Sequence, residues 1–133
     1  MGVLIDSSVL INLERRGEAP ATVRTEADTW AISAVTVAEL LFGIERATTN
    51  EQHRRRQAFI DGTLDAFPVL PFDVAAARVY ATLWAELSSS GLVIGTLDFM
   101  IAATALANNH ALLTDNVREF GRIPGLQLLQ PDR

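Results

Sequence analysis

The chain is 133 residues long, 49% apolar and 20% charged, which makes one ordinary α/β-sized domain with a core of its own and excludes disorder and low complexity. The absence of cysteine removes disulfide frameworks, thiolate zinc sites and cysteine nucleophiles, and a net charge of −5 excludes a basic coat for nucleic acid or membrane. The positive charge is eleven arginines and no lysine, so Schiff-base chemistry and lysine-dependent phosphate loops are excluded as well. The amino-terminal stretch lacks the basic and apolar regions of a signal peptide, and no apolar run approaches the roughly 20 residues that span a bilayer. A soluble, cytoplasmic protein without a membrane partner is expected.

In chain order, Val3–Ile5 is a short apolar run that stops at Asp6, and Ser7 and Ser8 are set to cap a helix carrying Val9, Leu10 and Leu13. Gly17 to Pro20 is a break, with Pro20 suited to the first turn of a second helix. Trp30–Ile32 reads as a strand, and Ser33 turns the chain into a helix with Val35, Val37, Leu40, Leu41 and Ile44. Asn50 caps a polar, arginine-rich helix to about Phe67; Val69 and Leu70, between two prolines, make at most a short strand. Asp73 caps a long helix that ends in the serine tract at Ser88–Gly91. Thr96 opens a helix through Ala107, with Asn108 and Asn109 at its carboxyl end. Ala111–Leu113 is a strand, Asn116–Phe120 a short helix, and Leu126–Leu128 a last strand. This alternation predicts a parallel sheet of about five short strands with helices on both faces, as one domain over residues 1–133.

Ligands bind beyond the carboxyl ends of the strands in such a sheet. Asp6 and Asp115 both follow strands, although each also suits a turn or a helix cap. Asp98 is the only charge between Thr96 and Ala107 and shares a helix face with Ile101, Ala102 and Ala105. In the first turn it favours the helix dipole by only about 0.3–1 kcal/mol, whereas an unpaired carboxylate on a packing face costs several times that. Glu39 lies at the edge of a wide apolar arc near Val35 and Phe42, or else is a solvated partner of Arg46. Two carboxylates about 4 Å apart repel by about 4 kcal/mol at an effective dielectric of 20, so converging acids must raise their pKa values or hold a cation. An all-oxygen set suits Mg²⁺ or Mn²⁺, which can activate water and offset charge on a phosphodiester.

The segments Val3-Leu4-Ile5-Asp6-Ser7-Ser8-Val9-Leu10-Ile11, Val37-Ala38-Glu39-Leu40-Leu41-Phe42-Gly43-Ile44, Leu97-Asp98-Phe99-Met100-Ile101-Ala102-Ala103 and Leu113-Thr114-Asp115-Asn116-Val117-Arg118-Glu119-Phe120 come in order along the whole chain. Together they resemble the four signature segments of PIN-domain ribonucleases, and most closely the VapC toxins of type II toxin–antitoxin modules. The resemblance implies a Mg²⁺-dependent endoribonuclease, with Mn²⁺ a substitute ion, inhibited by a VapB-like antitoxin. It implies Asp6 and Asp98 as principal metal ligands, Glu39 as the third acid directly or through water, and RNA ends with a 5′-phosphate and a 3′-hydroxyl. Homodimerisation, common among PIN toxins, is permitted by the apolar helix faces.

The fourth segment departs from the fuller family pattern, which places aspartate two residues after the strand-ending threonine; here that position is Asn116. Asp115 is one residue early and Glu119 three late, and Asp115 ranks ahead of Glu119, which also suits an Asn116-capped helix start. Thr114 and Asn116 are supporting polar groups. Arg15, Arg16, Arg54, Arg55 and Arg56 are candidate RNA contacts, although three adjacent arginines on a helix also read as a solvated face. His53 and His110 have no metal-ligand spacing, and Trp30, Tyr80, Trp84 and Phe99 sit at core spacings. Two neighbouring readings stay open: a PIN nuclease of RNA maturation outside any toxin module, and a catalytically silent PIN module that binds antitoxin or RNA. A phosphoacceptor receiver domain is disfavoured because it needs a lysine at its acidic pocket.

Overall fold

A computed structural model describes residues 2–23 and 29–132. Strands β1 (Gly2–Ile5), β2 (Trp30–Ser33), β3 (Val69–Leu70), β4 (His110–Leu113) and β5 (Leu128–Leu129) form one parallel sheet in the order β3-β2-β1-β4-β5. Helices α1 (Ser7–Arg15), α2 (Ala34–Glu45), α3 (Asn50–Ala66), α4 (Val74–Ser89), α5 (Thr96–Ala107) and α6 (Val117–Phe120) flank it. The expected α/β class and parallel sheet of about five strands therefore hold.

The central strand β1 is buried along its whole length, as a strand covered on both faces must be. Its side chains alternate between two cores. Val3 and Ile5 join Val9, Leu10 and Leu13 of α1, Leu40 and Ile44 of α2 and Ile60 of α3. Leu4 joins Leu83 and Leu87 of α4, Phe99, Ile101, Ala102 and Ala105 of α5, and Phe120 of α6. A Cβ on Gly2 would fall 2.5 Å from both His110 Nε2 and Thr29 Oγ1, so a larger residue there would have to displace those side chains.

Several local expectations are corrected. Ser7 lies inside α1 and Asp6 holds the N-cap position, without a side-chain cap bond. Pro20 opens only a single 3-10 turn, Pro20–Thr22, after which residues 24–28 fall outside the described ones. The cap of α3 is Thr49, whose hydroxyl accepts from the Gln52 N–H, one residue before the expected Asn50. The final strand is Leu128–Leu129, shifted towards the carboxyl end because it pairs with Leu112 and Leu113 of β4. Trp84 is 59% exposed rather than packed, since α4 turns Leu83 and Leu87 inward instead. Ser33 and Asp73 cap α2 and α4 as expected, accepting from the Val35 and Ala76 N–H groups. Asn108 is the C-cap of α5, and Asn109 follows in the left-handed conformation (φ 54°) that asparagine tolerates.

Candidate active site

The order β3-β2-β1-β4-β5 runs outward from β1 in both directions, so the crevice opens at the carboxyl ends of β1 and β4. The register pairs Ile5 with Leu113, and the Asp6 N–H donates to the Leu113 carbonyl at 2.8 Å. Asp6 and Thr114 therefore leave adjacent strands side by side. Asp6 is only 2% exposed. Its Oδ2 accepts from Ser8 Oγ at 2.6 Å and Thr114 Oγ1 at 2.8 Å, which explains why no cap bond forms to the helix backbone. Its Oδ1 is buried and has no hydrogen-bond partner. A lone buried carboxylate oxygen is costly unless something else compensates it.

Glu39 projects from α2 and is half-buried, with Oε1 also buried and unpartnered. Burial lifts its carboxyl above the ordinary value, and repulsion by Asp6 and Asp98 adds to this, against a hydrogen bond from Ser7 that lowers it. Asp98 stands in the first turn of α5. Burial foremost, then the charges of Asp6 and Glu119, lift it from 3.8 to about 6. Three acids that are distant in sequence thus sense one another's charge at one strand-end crevice. Among the described residues no three His, Asp or Glu side chains close into a metal cage.

The fourth segment divides its polar groups. The Asp115 carboxylate accepts from Asn12 Nδ2 at 2.8 Å, and its N–H donates to Ser8 Oγ at 3.2 Å. Glu119 contributes to the charge on Asp98, accepts from the Gly95 N–H at 3.3 Å and pairs with Arg122 at 3.0 Å. It is thus no capping partner of Asn116, whose side chain makes no cap bond and whose N–H donates to Thr114 Oγ1. His110 lies at the amino end of β4, away from the crevice, and His53 is exposed on α3.

The donor set fits a hard divalent ion. It is all oxygen, it holds two buried carboxylate oxygens without partners, and burial lifts the carboxyls of Glu39 and Asp98 above their ordinary values. Beside Glu39 an open groove of about 640 Å³ runs between α1, α2 and α3. Arg15 and Arg56 line it, and Arg56 donates to the Gly43 carbonyl at 2.6 Å. Arg16 pairs with Glu18 at 3.3 Å and Arg55 with Glu14 at 3.1 Å, while Arg54 is exposed on α3. Sequence reasoning missed the roles of Ser7, Ser8 and Asn12 as holders of acids; their only signal is that they follow Asp6 within two helical turns. It read Arg46 only as a possible partner of Glu39, whereas Arg46 lines the groove with its guanidinium carbon 5.7 Å from the Phe42 ring centroid.

Residues 3–126 match the PIN domain family. The chain is 36% identical over 129 residues to ribonuclease VapC1 of Rickettsia felis, covering 97% of this chain and 96% of that protein. It is 36% identical over 97 residues to the tRNA(fMet)-specific endonuclease VapC of Salmonella typhimurium, covering 73% of this chain and 71% of that one. Among solved structures, the DNA-bound VapBC complex of Salmonella typhimurium contains a chain with TM-score 0.86, 29% identity and 98% coverage of both chains. The promoter-bound VapBC2 complex of Rickettsia felis gives TM-score 0.84 at 27% identity, over 99% of this chain and 100% of that one.

Proposed function

The chain belongs to the PIN-domain family, among its VapC ribonucleases, and from that premise we propose that it is a divalent-metal-dependent endoribonuclease, the toxin of a type II toxin–antitoxin pair. The observation that carries this reading is the unpartnered, buried Asp6 Oδ1 at the head of a crevice shared with Glu39 and Asp98. Asp6 and Asp98 would hold Mg²⁺, or Mn²⁺ in its place, and Glu39 would be the third acid, acting on the ion directly or through water. When bound, the ion supplies the positive charge that activates water and offsets charge building on the phosphodiester.

The remaining work falls to the chain's own groups. The Ser8 and Thr114 hydroxyls both bond to Asp6 Oδ2, which leaves Oδ1 as the oxygen without a protein partner. Ser7 holds Glu39, and Asn12 holds Asp115. Glu119, through its charge on Asp98, is the better placed of the two candidates for a fourth acid; Asp115 acts with Thr114 and Asn116 in ordering the β4 end of the site. Neither histidine is assigned a role, because His110 lies at the amino end of β4 and His53 is exposed on α3. Of the five candidate arginines, Arg15 and Arg56 are the ones that line the groove beside Glu39, and so are the favoured RNA contacts.

The partner is a VapB-type antitoxin, which the likeness to VapBC complexes supports, and the substrate is RNA. A homodimer is supported by Trp84 on α4 and by Leu92 and Val93 after it, at 59%, 38% and 81% exposure, a density of large apolar side chains unusual for a solvated face. RNA as substrate locates the protein in the cytoplasm, and among the described residues no helix is long and apolar enough to cross a membrane.

The test is cleavage of cellular RNA by purified, antitoxin-free protein with Mg²⁺, Mn²⁺ or EDTA, beside folded Asp6→Asn and Asp98→Asn variants. Discrete metal-dependent fragments lost in both variants support the reading. Equal cleavage by wild type and variants, or cleavage that survives EDTA, refutes it.

A further inference from the structure

Helix α5 carries Asp98 in its first turn and starts at Gly95, an N-cap with no side chain to offer the free N–H groups of that turn. The acid three residues after an N-cap ordinarily reaches back to the N-cap N–H and closes a capping box. Asp98 stands at that position, and its Oδ2 lies over Gly95, 4.0 Å from where a Cβ there would stand. The Gly95 N–H nevertheless donates elsewhere, to Glu119 Oε1 at 3.3 Å. A carboxylate 24 residues away in sequence has therefore taken the local partner of Asp98. Glu119 is itself held: Arg122 Nη2 pairs with its Oε2 at 3.0 Å and donates to the Val93 carbonyl at 3.0 Å. Ile94, between the two tethered residues, is buried in the second core. Residues 93, 94 and 95 are thus fixed in turn by Arg122, by the core and by Glu119, and the start of α5 is set from outside the helix.

We propose that Glu119 and Arg122 form a clasp that caps α5 in place of Asp98 and so leaves the Asp98 carboxylate free for the divalent ion. Both are positioning residues: Glu119 takes the Gly95 N–H, and Arg122 fixes Glu119 and the loop before α5. The inference rests on the nuclease reading and deepens it, by giving the fourth acid a task away from the ion. Without the clasp, Asp98 is the acceptor that the helix itself supplies for the Gly95 N–H, and an oxygen engaged there is withdrawn from the crevice. A ligand must also be held to within about 0.5 Å of its working place, which an untethered loop at the start of α5 would not do. The ion pair is partly exposed on both sides, so its worth lies in this geometry more than in its charge.

The experiment measures Mg²⁺ affinity by calorimetry and the Mg²⁺ dependence of RNA cleavage. It compares wild type, Glu119→Ala, Glu119→Gln, Arg122→Gln and Arg118→Gln, each shown to be folded by thermal melts in EDTA. Glu119→Ala and Arg122→Gln should each weaken Mg²⁺ binding roughly 10-fold. Glu119→Gln keeps an oxygen for the Gly95 N–H and loses only a partly exposed ion pair, so it should stay within about 3-fold of wild type. Arg118→Gln removes a positive charge from α6 without touching the clasp and should leave binding unchanged or tighter. In cleavage, Glu119→Ala and Arg122→Gln should raise the half-saturating Mg²⁺ by the same factor and keep kcat at saturating Mg²⁺ within about 2-fold.

Glu119→Gln as weak as Glu119→Ala would make Glu119 a ligand of the ion and overturn the proposal. Wild-type affinity in Glu119→Ala would overturn it too. So would unchanged or tighter binding in Arg122→Gln, the outcome that loss of a nearby positive charge alone would give. A fall in kcat at unchanged half-saturating Mg²⁺ would place these residues in the chemical step and reject the clasp. The nuclease reading stands or falls separately: metal-dependent cleavage by wild type with no effect of Arg122→Gln or Glu119→Ala keeps the nuclease and removes the clasp. Wild type that binds Mg²⁺ and shows the expected losses in calorimetry, but cleaves no RNA, keeps the clasp and removes the nuclease.

Discussion

Replacing Asp98 by Asn should make the metal-free protein more stable at neutral pH, although it removes a candidate ligand. A carboxyl raised from 3.8 to about 6 binds its proton more tightly in the folded chain than in the unfolded one. Its favourable contribution is present below pH 4 and is lost as pH rises through 6, so at pH 7.5 the ionised group works against folding. Taken in full the shift amounts to about 3 kcal/mol, and screening at this partly exposed position reduces it to about 1.5 kcal/mol. Asparagine forfeits an attraction to the amino end of α5 of about 0.5 kcal/mol, which leaves a net gain of about 1 kcal/mol. For a domain of this size that is a rise of roughly 3 °C in Tm. Thermal melts in EDTA should show the gain at pH 7.5 and its decline as pH approaches 4. Mg²⁺ at 100 times its Kd should then stabilise the wild type by about 2.7 kcal/mol and the variant far less, which reverses their order. A variant no more stable than wild type in EDTA at pH 7.5, or a gain that does not change with pH, would refute the argument.

Three further outcomes follow from the same geometry. Ser8→Ala removes a donor from Asp6 Oδ2 and the acceptor of the Asp115 N–H, so metal-dependent cleavage should fall by 10-fold or more; wild-type rates in a folded variant would show that Thr114 suffices. Binding of Mg²⁺, followed by calorimetry, should weaken as pH falls below 6, because Asp98 is then protonated; an affinity flat from pH 7.5 to 5 would remove Asp98 from the ligand set. Phe120→Ala, at a fully buried position under α5 and β4, should cost about 3–5 kcal/mol in denaturant unfolding, and a loss below 1 kcal/mol would mean the second core is not continuous there.

The contrast between Asp98 and Glu119 shows how far local pattern reaches. Asp98 is legible because its own helix is otherwise apolar, so burial follows from periodicity alone. Asp6 is legible because the apolar run Val3–Ile5 ends on it. Glu119 is different. Its sequence neighbours fit a capping pair with Asn116, yet its carboxylate reaches Gly95 and Arg122 instead. The Gly95 contact joins residues 24 apart, and nothing within a helical turn announces it. Trp84 misleads for a related reason: helical spacing places it near the apolar stripe of α4, but which edge of that stripe is covered depends on where α5 lies.

The sequence by itself determined what depends on near neighbours. Strand and helix alternation, the capping at Ser33 and Asp73, and the ordered acids Asp6, Glu39 and Asp98 all follow from period, propensity and charge within a few residues. Tertiary structure decided which oxygen of Asp6 stays without a partner, since that turns on Thr114 arriving from 108 residues away through the β1–β4 register. It also decided that α1, α2 and α3 leave a groove beside Glu39, with Phe42 and Arg46 on one wall. A hydrogen bond or a groove between distant elements is set by how the cores pack, and local sequence carries no free-energy term for that packing.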